Sequence, residues 1–185
     1  MGNNCINDYL EYAKPLYSEK DAAHNFEHIE RMIKRVKFLG IGYESQIKPE
    51  LLWFLTCFHG LNSTFNDFSS KKQHCIDFLM EKGWSNNDIS IGFECLNRHL
   101  NDPITLEEQI VHDANFIELL GAFGIAKAFT TGGSHGQSYY ETIRIYEEEY
   151  LDNVIFHTER GKELAVEGKE YAKSFLSRLK QELEY

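Results

Sequence analysis

Apolar positions recur with helical spacing along most of the chain. Ala22, Phe26, Ile29, Ile33 and Val36 follow the 3-then-4 rhythm of a single helix face. They predict a helix that opens at or beside Asp21 and stops at Gly40. Leu51-Leu52-Trp53-Phe54-Leu55 is apolar on every side, the pattern of a central, buried helix. Pro49 suits its first turn and Gly60 its C-terminal stop. Another helix is predicted from about Ser70 to Gly83. Ser85 and Asp88 mark the start of the next, which ends near His99. Thr105 and Glu108 form a capping box that starts the helix carrying Asp113. A long helix from about Glu159 to Leu183 is predicted to carry Leu164, Gly168, Tyr171, Phe175, Leu179 and Leu183 on one stripe. Gly132-Gly133-Ser134-His135-Gly136 reads as the clearest loop. With no repeat, linker or low-complexity tract, the expectation is an all-α single domain spanning residues 1–185.

Composition narrows the class. At 185 residues, 42% hydrophobic and 26% charged, the chain reads as an ordinary globular domain with one sizeable core. A formal net charge of -10 argues against nucleic acid as a partner, because backbone binding needs a basic surface. Cys5, Cys57, Cys75 and Cys95 show no CxxC spacing, which reads as reduced thiols of a cytoplasmic protein. No segment has the roughly 18 apolar residues of a membrane span. The start of the chain lacks a signal-peptide pattern, and Ile6 stands where a myristoylation signal needs Ser or Thr.

Four histidine and acid positions stand out from this background. His24 and His28 are one helical turn apart, and Arg31 and Arg35 fall in the same lane at about 100° per residue. That lane borders the apolar stripe and reads either as a ligand with phosphate-binding cations or as a solvated face paired with Glu27 and Glu30. His59 ends an all-apolar run, so its imidazole needs a buried hydrogen-bond partner or a metal. Asp113 falls inside the apolar stripe of Leu106, Ile110, Ile117 and Leu120. A carboxylate aimed into a core is costly unless it is paired, hydrogen-bonded or metal-bound. His74, His99, His112, His135 and His157 taken singly read as surface or core histidines. The glycine-rich loop lacks the Gly-Lys-Ser/Thr ending of a P-loop, and no nucleophile elbow or catalytic cysteine pattern appears.

Taken in order, His24-Asn25-Phe26-Glu27-His28, Phe58-His59-Gly60, the run from His112 to Lys127, and Thr158-Glu159-Arg160-Gly161-Lys162 resemble the HD-domain superfamily, in particular its small bacterial single-domain hydrolases. The resemblance covers about Tyr17 to Leu183. It implies an all-α HD-type helical bundle with metal ligands at His28, His59 and Asp113. Two positions depart from the family pattern. Gly60 stands where an aspartate follows the histidine, and Asn115 replaces the second acid of an Asp-Ala-Asp element.

The resemblance implies a divalent ion (Mn, Fe, Ni, Co or Mg) and hydrolysis of a nucleotide or related phosphate ester or anhydride. His24, Arg31, Arg35 and Lys127 are the candidate phosphate contacts, and no catalytic acid or base can be assigned. With one carboxylate missing, the ion is expected to be held weakly, with hard Mg²⁺ losing most. Two function classes follow: a metal-dependent phosphohydrolase with an altered site, or a non-catalytic HD-fold protein that binds a nucleotide or a protein partner.

Overall fold

A computed structural model describes residues 3–18, 20, 25–66 and 70–184, with the side chains of 3–5 and 66 outside that description. The chain divides into two compact units, residues 1–111 and 112–185. Both are helical, and the described residues contain no strand. Among them, no helix is long and apolar enough to cross a membrane.

The first unit holds α1 (Asn3–Ala13), a 3₁₀ turn (Lys14–Tyr17), α2 (Phe26–Leu39), α3 (Pro49–Phe58), α4 (Asn62–Asn66), α5 (Ser70–Glu81), α6 (Asn86–Arg98) and the first half of α7 (Leu106–Ile117). As its all-apolar sequence predicts, α3 is the centre, buried at every position from Leu51 to Phe58. It packs against α1, α2 and α6. The Ser85–Asp88 capping box forms at the start of α6. At α7 the Thr105 amide donates to the Glu108 carboxylate at 2.7 Å, and the Glu108 amide donates back to the Thr105 hydroxyl at 3.3 Å. Arg98 closes on the same buried Glu108 with bonds of 2.7 and 3.1 Å. Burial raises the Glu108 pKa, but the Arg98 and Thr105 bonds outweigh it and leave the carboxyl below its ordinary value.

The start of α2 differs from the expectation. The helix begins at Phe26, and the Asn25 side chain caps it by accepting the Glu27 amide at 3.0 Å. Asp21, the expected start, lies outside the described residues. The buried face is His28, Ile29, Met32, Val36 and Leu39, which places His28 in the first turn on the core side.

The second unit holds the rest of α7, then α8 (Gly121–Ser134), α9 (Tyr139–Ile145), a π-helical turn (Tyr146–Leu151) and α10 (Glu159–Glu182). Here the expected loop at Gly132–Gly136 is mostly helix, because α8 continues to Ser134. Gly132 is buried beneath Thr142 and Gln137, where a larger residue would collide, so packing explains it better than turning does. The stripe on α10 also shifts. Gly161, Ala165, Ala172 and Leu176 are buried, whereas Tyr171 and Phe175 are 51% and 41% exposed. The buried face of α10, which packs against α8, is thus turned from the expected stripe and leaves the two aromatics beside it.

Candidate metal centre

The end of α3 is shaped by side chains from outside the helix. His59 leaves helical geometry, with φ -52° and ψ 129°, and Gly60 follows with φ 78°. The Tyr17 hydroxyl directs its one proton between the carbonyls of Cys57, at 3.0 Å, and His59, at 2.5 Å. Burial holds the Tyr17 pKa well above its ordinary value, so it remains a donor. Lys20 Nζ donates to the Gly60 carbonyl at 3.2 Å. These bonds satisfy carbonyls that the ending helix leaves over.

His59 is buried, and its ring centroid lies 5.3 Å from that of His28, also buried. His59 Nδ1 is 2.8 Å from His99 Nε2, and His99 Nδ1 is 2.7 Å from the Leu96 carbonyl. A carbonyl only accepts, so His99 carries its proton on Nδ1. In the neutral ring its Nε2 is then an acceptor, which requires the proton of His59 on Nδ1. That leaves the lone pair of His59 on Nε2, the form in which an imidazole ligates a metal or accepts a proton. Fixing the tautomer from behind is how outer-shell partners set a ligating histidine.

In the second unit Asp113 is fully buried. Its Oδ2 accepts the Thr158 amide and the Thr158 hydroxyl, each at 2.7 Å. The His157 amide donates across both oxygens at 3.0 and 3.1 Å. Thr158 is the N-cap of α10, its hydroxyl accepting the Gly161 amide at 3.0 Å. The carboxylate thus sits where the helix amides and dipole favour an anion. Gly161 leaves room for it, since a β-carbon there would lie 2.3 Å from Asp113 Oδ2. The Thr158–Gly161 stretch noted in the sequence is therefore the socket of the Asp113 side chain. His112 Nδ1 faces Asp113 Oδ1 at 3.2 Å. His112, Asp113 and His157 each offer a ligand atom within 4.8 Å of the others, a group that can hold a metal ion.

Of the predicted ligands, His28 and His59 lie side by side in the first unit, and Asp113 lies in the second, beside His112 and His157. Gly60, which stands in place of an acid, faces open space, with nothing within 4 Å of where a β-carbon would be. Among the predicted phosphate contacts, Arg31 is half-buried and 4.0 Å from Glu27, and Arg35 is half-buried. Lys127 Nζ donates at 3.3 Å to the carboxylate of Glu118, a fully buried acid, so that charge is matched within its own unit. His24 lies outside the described residues, as does Asp67. Sequence reasoning passed over His99, His112 and His157. Only the place of His112 next to Asp113 could have flagged any of them.

No protein-family model matches the sequence, and no curated protein matches it. Solved structures do. A Listeria innocua protein is 22% identical, with a TM-score of 0.78, over 100% of this chain and 98% of its own. Bacillus subtilis YpgQ, solved in complex with ADP, is 18% identical, with a TM-score of 0.77, over 97% and 95%. An HD-superfamily hydrolase from Bacillus thuringiensis is 18% identical, with a TM-score of 0.77, over 98% and 97%. The fold is that of HD-domain proteins.

Proposed function

We propose that this chain is a cytoplasmic, metal-dependent phosphohydrolase of HD type that acts on a nucleotide or a related phosphate ester or anhydride. The observation that supports it best is the pair of buried imidazoles, His28 and His59, with His59 held by His99 so that Nε2 carries the lone pair. The resemblance adds Asp113 as the anionic ligand. The donor set fits a divalent ion: imidazoles with one carboxylate suit Mn²⁺, Fe²⁺, Co²⁺ or Ni²⁺ better than Mg²⁺. An ion so held supplies a Lewis acid for a phosphoryl oxygen and makes water nucleophilic at neutral pH.

The chain's own part is orientation. His99 fixes the His59 tautomer, Thr158 and Gly161 fix the Asp113 carboxylate, and Arg31 and Arg35 are the cations offered to phosphate. Thiol chemistry is disfavoured. Cys57, Cys75 and Cys95 are buried thiols, and burial pushes Cys75 up to about 12 and Cys95 to about 11. The nucleotide class rests on the fold shared with YpgQ, whose structure holds ADP.

The test is phosphate release from a panel of nucleoside mono-, di- and triphosphates. The protein is first stripped with chelator, then reloaded with Mn²⁺, Co²⁺ or Ni²⁺. Release is expected only with metal and is lost in His59→Ala. Nucleotide binding without release under any metal would overturn the hydrolase reading in favour of a binding protein.

A further inference from the structure

The second unit holds two imidazoles beside the buried Asp113. We infer that His112 and His157 are metal ligands alongside Asp113, forming an imidazole-rich site for a borderline divalent ion such as Co²⁺, Ni²⁺ or Zn²⁺. This deepens the hydrolase reading and rests on it for the use of the ion, though not for its binding.

Three observations carry the inference. The first is spacing. Two ligands of one ion with bonds of about 2.1 Å stand about 3.0 to 3.4 Å apart. His112 Nδ1 and Asp113 Oδ1, in hydrogen-bond contact, are 3.2 Å apart and meet that spacing, and the ligand atom of His157 completes a group whose members all lie within 4.8 Å of one another. The second is preorganisation. Thr158 takes the two shortest bonds to Asp113, both on Oδ2, while Oδ1 accepts the His157 amide at 3.0 Å and faces His112 at 3.2 Å. A ligating carboxylate fixed by outer hydrogen bonds is the arrangement that metal sites need. The His112 ring is itself packed 4.5 Å from Phe116 and stands edge-on to His157 at 4.9 Å and 83°. The third is access. His112 and Asp113 are buried, while His157 is half-buried and gives the group a side toward solvent.

The chemistry selects the ion. Two imidazoles and one carboxylate form a neutral-nitrogen-rich set, which favours Co²⁺, Ni²⁺ and Zn²⁺ and is a poor host for Mg²⁺.

The experiment is Co²⁺ and Zn²⁺ binding to the full-length chain, by calorimetry and by the visible absorption of ligated Co²⁺. Wild type, His112→Gln and His157→Ala are compared, with circular dichroism confirming that each is folded. Wild type is expected to bind with a Co²⁺ spectrum, and His157→Ala to lose about tenfold or more in affinity with a changed spectrum. The same is expected of His112→Gln. Because His157 is half-exposed, its replacement leaves a folded chain even if that of His112 does not. No Co²⁺ binding by wild type overturns the inference, as does affinity within about twofold of wild type in His157→Ala. Phosphate release separates the two readings. Binding that depends on His157 without any release keeps the site and sinks the hydrolase. Release that survives in His157→Ala with unchanged affinity sinks the site alone.

Discussion

Position 60 and position 113 are both places where the resemblance expects an acid, and different forces hold them. Gly60 turns the chain after α3 with φ 78°, and its α-carbon faces open space. A β-carbon there meets no atom of the described residues within 4 Å, so packing does not select the side chain at that position. Asp113 is the reverse case. It accepts bonds from His157 and Thr158 at the start of α10 and fills a hollow that Gly161 leaves for it. Folding alone would keep it, whether or not an ion is ever bound. The bonds at the start of α10 account for the burial of Asp113 and also fix its carboxylate as a ligand would need to be fixed, so burial alone does not separate the two roles. For this chain the functional weight shifts to the imidazoles around each position.

The sharpest way to break this comparison is Asp113→Ala. The Thr158 amide and hydroxyl and the His157 amide lose their shared acceptor in a buried place, each such loss costing about 1–3 kcal/mol. A drop of about 3 kcal/mol in unfolding free energy is expected, read by denaturant midpoint with no metal present. Asp113→Asn should fall between, because one oxygen still accepts while its amide group meets donors. A stability loss that appears only in metal-loaded protein would show that the acid is a ligand first and a cap second.

Next in size is Gly161→Ala. The added carbon would sit 2.3 Å from Asp113 Oδ2 and 2.7 Å from Thr158 Oγ1, so the carboxylate must move. Overpacking of this kind costs about 1–3 kcal/mol. Co²⁺ affinity should fall as well, since the displaced carboxylate no longer faces His112. Unchanged stability and unchanged affinity would mean that the socket is looser than its distances indicate.

These two positions also show what the sequence could and could not reveal. The helices at Pro49, Ser85 and Thr105 were legible because capping and N1 signals are local: the donor, the acceptor and the helix they start lie within four residues. Asp113 was legible because an acid inside an apolar stripe contradicts its surroundings. Its partners were not, because Thr158 and His157 are distant in the chain and a backbone amide leaves no mark in a sequence. The Gly132–Gly136 stretch misled because glycine serves both turns and close packing, and composition does not tell them apart. Tyr171 and Phe175 misled because hydrophobicity marks what can be buried, and the face of α10 that is buried runs instead through Ala165, Ala172 and Leu176. His99 looked like any lone histidine. Its role depends on the Leu96 carbonyl behind it and His59 in front, two contacts that no spacing rule predicts.

Around His59 the comparison sharpens through His99→Leu. The Leu96 carbonyl keeps the Asn62 amide at 2.6 Å, so the main loss is the acceptor for the His59 Nδ1 proton. A cost of about 1–2 kcal/mol is expected. Long-range proton–nitrogen correlations should show His59 of the metal-free wild type protonated at Nδ1 and bare at Nε2, with that preference lost in His99→Leu. His99→Gln, which can offer its side-chain oxygen in place of the ring nitrogen, should restore part of it. A wild-type His59 protonated at Nε2 would contradict the tautomer that His99 imposes.

The smallest structural effect is expected at Gly60→Asp. The new β-carbon meets no atom within 4 Å, so there is no clash to relieve, and the cost is that of a side chain at positive φ, about 1 kcal/mol. Aspartate tolerates that region better than most residues, and Lys20, whose ammonium already bonds the Gly60 carbonyl, is a nearby cation. The functional effect should be larger than the structural one. If position 60 is a vacated ligand position, the substitution adds an anionic oxygen next to His59 and raises affinity most for hard ions such as Mg²⁺ and Mn²⁺, which favour oxygen. Calorimetry with Mg²⁺, Mn²⁺ and Co²⁺ on wild type and variant reads this directly. The expected result is a gain of about tenfold or more for Mn²⁺, a smaller gain for Co²⁺, and a midpoint shift of about 1 kcal/mol. A folded variant that binds all three ions as wild type does would show that the turn at position 60 does not point at the ion.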